Sequence, residues 1–72
     1  MLLPTKHRPI DKSAVGLAAI VLRSFTGRPT VSELWERAAR GGVSTFDQYV
    51  MALDLLFLLG IVEYRDGRLV PG

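Results

Sequence analysis

Few residues in this chain have the type and spacing that chemistry needs. His7 is the one imidazole and cannot build a metal site alone, and with no cysteine thiolate ligation is excluded. Asp47 and Asp54 are two turns apart on one side of a helical stretch, too far apart to share a proton and without a histidine beside them. Gly41-Gly42 and Gly60 fall where the chain must break, and no Gly-x-x-x-x-Gly-Lys pattern is present to cradle a phosphate. No nucleophile with a base, carboxylate pair or phosphate loop is visible. The expectation is a protein that is not an enzyme and has no catalytic residue, cofactor or metal.

The 72 residues make one small domain, near the size at which a single core supplies only about 3 to 5 kcal/mol, so a partner or self-association is expected. Absence of cysteine excludes disulfides and fits a reducing compartment. Net charge is only +2, so the pI of 9.5 permits nucleic-acid binding without pointing to it. The uncharged runs Ser13 to Leu22 and Leu55 to Val62 fall short of the roughly 18 apolar residues that read as a membrane span. Met1-Leu2-Leu3, followed by Pro4 and Lys6-His7-Arg8, reverses the order of charge and apolar core in a secretory signal. A cytoplasmic protein without membrane contact is expected.

The stretch that organises the rest runs from Thr45 to Val70. Phe46, Tyr49, Val50, Leu53, Leu56, Phe57 and Gly60 recur at helical spacing and are expected to form the core face of a helix that ends at Leu59-Gly60. Its other side carries Asp47, Gln48, Met51, Ala52, Leu55, Leu58 and Leu59, with Asp54 at the edge, a second apolar surface that calls for a cover. Alternating residues follow, and Arg65-Asp66-Gly67 predicts a tight hairpin.

Upstream, residues 1–10 hold Pro4 and Pro9 and no helical period, so they predict an extended basic arm that Leu2, Leu3 and Ile10 could pin to the domain. Asp11 or Ser13 can cap a helix over about Lys12 to Phe25, read as mostly enclosed because Arg23 is the one charge in its body. Thr30-Val31-Ser32-Glu33 is a capping box opening a second helix with Val31, Leu34, Trp35 and Ala38 as its apolar stripe. Gly41-Gly42 ends it, and Ser44 or Thr45 caps the third. Helix, glycine turn, helix and C-terminal hairpin predict an α+β, mostly α fold: a winged helix-turn-helix over 11–72 behind the arm.

Two functional readings compete for that fold, which hosts both. A helix that reads base edges offers Arg, Lys, Asn or Gln near its N-terminal end. Here Phe46 to Leu59 has no Lys or Arg and offers Gln48 among acids and apolar groups, an outer face that favours protein docking, with Asp47, Met51, Asp54, Leu55, Leu58 and Leu59 as the expected interface. Nucleic-acid contact, the alternative, would fall to Lys6, Arg8, Arg37, Arg40, Arg65 and Arg68, which could follow a phosphate backbone. A homodimer through the apolar face is a third arrangement.

Leu2-Leu3-Pro4-Thr5-Lys6-His7, Thr45-Phe46-Asp47, Ala52-Leu53-Asp54-Leu55-Leu56-Phe57-Leu58-Leu59-Gly60 and Asp66-Gly67-Arg68-Leu69 together resemble the middle component 6 family of ABC-three-component systems. The resemblance covers nearly the whole chain. It implies a small bacterial subunit encoded with an ABC ATPase and an effector in a conflict or anti-phage defence system, acting as a non-catalytic adaptor between them. It leaves open whether the subunit also acts as a DNA-binding regulator or nucleic-acid sensor.

Overall fold

A computed structural model describes residues 12–72. Three helices, α1 (Lys12–Arg23), α2 (Val31–Gly41) and α3 (Phe46–Leu58), precede two antiparallel strands, β1 (Val62–Arg65) and β2 (Arg68–Pro71). This is the expected α+β, mostly α order of a winged helix-turn-helix. The predicted arm over 1–10, and with it Lys6, His7 and Arg8, lies outside the described residues.

Local chemistry sets each boundary. Thr30 is extended and its hydroxyl accepts the Glu33 N–H at 3.1 Å, while Glu33 Oε1 accepts the Thr30 N–H at 2.8 Å; the capping box closes as its spacing predicts. That bond from the Thr30 amide is the main influence holding the Glu33 carboxyl below the usual carboxylate range. At the end of α2, Gly42 at φ 124° turns the chain, and the Val43 N–H reaches back to the Ala38 carbonyl at 3.0 Å. Thr45 caps α3 by accepting the Gln48 N–H at 3.1 Å. At its far end Gly60, at φ 74°, donates to the Phe57 carbonyl and Ile61 donates to that of Leu56, both at 3.0 Å, the two bonds of a Schellman motif.

Asp66 and Gly67, at φ 52° and 80°, are the central residues of the two-residue turn, and their left-handed conformations match the twist of the flanking strands. The register pairs Val62 with Pro71, Glu63 with Val70, Tyr64 with Leu69 and Arg65 with Arg68. On the far side of β2 the Leu69 N–H donates to the Pro29 carbonyl at 2.8 Å, which ties the hairpin to the α1–α2 connection.

The core is Ala14, Ala18 and Val21 of α1, Leu34 and Ala38 of α2, Val43, five residues of α3, and Val62 and Leu69 of the hairpin. In α3 the buried set is Tyr49, Ala52, Leu53, Leu55 and Leu56, which corrects the expected face. Phe46, Val50 and Phe57, expected inside, are exposed, whereas Ala52 and Leu55, expected outside, are buried. The buried arc is rotated by most of one 100° residue step. The physical reason is α1, the principal neighbour of α3. Its Ala14 and Ala18 lie in the same cluster as Ala52, and small side chains allow the two helices to approach closely. Nor is α1 enclosed: Val15 and Leu22 are 54% and 43% exposed.

Tyr49 joins α3 to α2. Its side chain is 0% exposed, and the hydroxyl donates to the Val31 carbonyl at 2.7 Å. Its ring lies 5.4 Å from Trp35 and 5.7 Å from Phe46, centroid to centroid. Burial pushes the phenol up to about 12 from 10.0. A raised folded-state pKa means a contribution that is complete below the unfolded value of 10.0 and is lost as pH climbs toward about 12, because the unfolded phenol ionises first.

These bonds can be tested by their effect on stability. Denaturant titrations of the wild type should show stability falling across pH 10 to 12, and Tyr49→Phe should flatten that fall while costing about 1 kcal/mol at neutral pH. Gly60→Ala places a Cβ on a left-handed residue, so thermal unfolding should show a loss of about 1 to 2 kcal/mol. An unchanged melting temperature would contradict the role given to this glycine.

Candidate docking surface

The open side of α3 is built by the same rotation that sets its core. Phe46, Asp47, Val50, Asp54, Phe57 and Leu58 fall within about a third of a turn of the helix at 100° per residue, and all six are exposed. Leu58 is 46% and Phe46 51% exposed, and Leu59, at the helix end, is 60% exposed. The surface is thus an apolar ridge with two carboxylates on it, and α3 supplies no Lys or Arg to neutralise them. Side-by-side apolar residues in this number characterise interaction surfaces of soluble proteins.

Of the residues expected at the interface, Asp47, Asp54, Leu58 and Leu59 lie in the open and Met51 is half-buried. Leu55 is corrected: at 6% exposure it belongs to the core, because the buried arc of α3 reaches round to its side of the helix. Phe46, Val50 and Phe57 take its place on the surface. The signal that identifies them is Ala52, a small residue whose burial beside α1 sets the phase of the helix.

The arginines considered for nucleic acid divide by their bonding. Arg37 Nη1 donates to the carbonyl of Thr26 at 3.0 Å and to its hydroxyl at 3.1 Å, so it holds the exit of α1. Arg68 Nη1 donates to the Arg28 carbonyl at 2.8 Å and stands 3.7 Å from Glu33, bracing the hairpin against the start of α2. Arg65 pairs with Glu63 at 3.4 Å on the exposed strand, and Arg40 is exposed. Lys6 and Arg8 are outside the described residues. The structure therefore gives Arg37 and Arg68 bonds within the domain and does not gather the basic groups on α3.

Among the described residues no cluster of His, Asp and Glu could hold a metal ion, and no helix is long and apolar enough to cross a membrane. Gly16, Leu17, Ala19, Ile20, Arg23 and Gln48 line a shallow open groove between α1 and the start of α3. It is too open to enclose a small molecule.

Compared with known proteins, residues 3–71 match the family model described as ABC-three component (ABC-3C) system Middle Component 6. No curated protein and no solved structure matches the chain. The match spans essentially the whole chain, which therefore belongs to that family.

Proposed function

We propose that this Middle Component 6 subunit is a non-catalytic adaptor, which docks through the open face of α3 to the ABC ATPase or the effector of its own three-component system. Family membership supports the first half of this reading, since a middle component belongs to a system with other components. The observation that carries the second half is the exposed ridge of Phe46, Val50, Phe57 and Leu58, flanked by Asp47 and Asp54 and free of basic residues within the helix. A complementary partner surface is apolar with basic groups at its margin. Conflict or anti-phage defence in a bacterial cytoplasm is the setting in which such an adaptor would couple a sensing ATPase to an effector.

Duplex DNA suits that face poorly, because phosphates repel its two carboxylates and two of the arginines outside it are already bonded within the domain. A fluorescence titration with duplex DNA at low salt is expected to stay flat, and tight binding with a steep salt slope would replace docking by DNA binding.

Co-purification tests the docking directly. Val50→Ser with Leu58→Ser changes two side chains that are 39% and 46% exposed, so stability should fall by about 1 kcal/mol at each. The folded variant is expected to lose at least tenfold in capture of the ATPase and effector encoded beside it. Capture at the wild-type level by a variant with unchanged circular dichroism would remove this face from the mechanism.

A further inference from the structure

The hairpin has one closed edge and one open edge, and the open edge is complementary to itself. In an antiparallel ladder, opposed residues either exchange both backbone bonds or exchange neither. The Leu69 N–H is spent on Pro29, so Leu69 and Tyr64 are a pair that exchanges neither. The same alternation places Val62 and Pro71, which has no N–H, in the other such pair. The N–H and C=O groups of Val62 and Tyr64 therefore point away from β2. Among the described residues they have no hydrogen-bond partner; Val62 is 2% exposed and Tyr64 59%, so the edge is open at Tyr64.

Exposed edges of this kind are usually blunted by brevity, charge, proline, a bulge or a cover. β1 reads Val62-Glu63-Tyr64-Arg65: it is short and carries two charges of opposite sign, with no proline or lysine. Its side chains are ordered instead for a second strand. Arg65 and Glu63 lie 3.4 Å apart on one exposed face, and Tyr64 is 59% exposed on the other.

We infer that β1 is the self-association edge of this protein, pairing antiparallel with β1 of a second copy around a twofold axis at Tyr64. In that register Tyr64 faces its own counterpart and the two exchange N–H···O=C bonds. Glu63 of each chain then faces Arg65 of the other. Both charge pairs are opposite in sign, whereas moving the axis by one residue sets Glu63 against Glu63, a like-charge contact that opposes pairing. The product is a four-stranded sheet of order β2-β1-β1-β2. Glu63 and Arg65, which satisfy each other within the monomer, exchange partners across the axis. This edge is distinct from the α3 ridge and stands whether or not that ridge docks.

Sedimentation of the full chain from micromolar to millimolar concentration tests the assignment, with charge variants that leave the core untouched. The wild type is expected to be a concentration-dependent dimer. Glu63→Arg sets two guanidinium groups against each other in both pairs and should weaken association at least tenfold. The double exchange Glu63→Arg with Arg65→Glu restores opposite signs and should recover it. A monomer throughout, a dimer indifferent to Glu63→Arg, or a double exchange that fails to rescue would each overturn the inference. So would a dimer broken by Val50→Ser with Leu58→Ser, which would locate self-association on α3. Amide protection of Tyr64 that arises only on adding a different protein would overturn it too, by assigning the edge to a foreign strand.

Discussion

The burial of Tyr49 is the constraint on which the helical part of this domain rests. A phenol in the middle of a small core needs an acceptor, since an unbonded hydroxyl there costs on the order of 1 to 3 kcal/mol. It finds one at the Val31 carbonyl, in the first turn of α2. That bond fixes the distance between α2 and α3 near the start of each, and Trp35 and Phe46 close around the ring. No buried polar side-chain atom among the described residues lacks a partner, so the core gives no other side chain an unmet demand. The glycine turn between α2 and α3 then has only one job, to reverse the chain between two ends already held in place.

A second constraint comes from size. With 72 residues, α3 must serve both α1 and the hairpin while also presenting its own outer surface. Its composition answers that demand: it is apolar around most of its circumference and charged only at Asp47 and Asp54. The acids mark the side that its own fold leaves uncovered. Family membership gives this surface a context, because a component of a larger system needs at least one face that is not consumed by its own fold.

What can be read from the sequence is what depends on neighbours along the chain. The Thr30–Glu33 box, Thr45 at the start of α3, the glycines that end α2 and α3, and the Asp66-Gly67 turn each act within a few residues, and each lies where its spacing puts it. The phase of α3 is not legible in this way. Apolar residues occupy nearly every side of that helix, so periodicity offers two answers, and only the close packing of α1 selects between them. Leu55 lies opposite to expectation for that reason, and Phe46, Val50 and Phe57 for the same one. The bonds of Arg37 to Thr26 and of Arg68 to Arg28 join residues 11 and 40 positions apart, a separation that no local pattern encodes.

The bond from Leu69 to Pro29 makes the hairpin and the entrance of α2 a single mechanical unit. Pro29 is buried and immediately precedes Thr30, the residue that caps α2, while Arg68 grips Arg28 and Glu33 on either side of it. A pull on β2 is thus delivered to the first turn of α2 through a hydrogen bond, while β1 delivers it to the end of α3 through the chain itself. From α2, Val31 passes it to the Tyr49 hydroxyl, so tension on the wing reaches the start of α3 as well as its end.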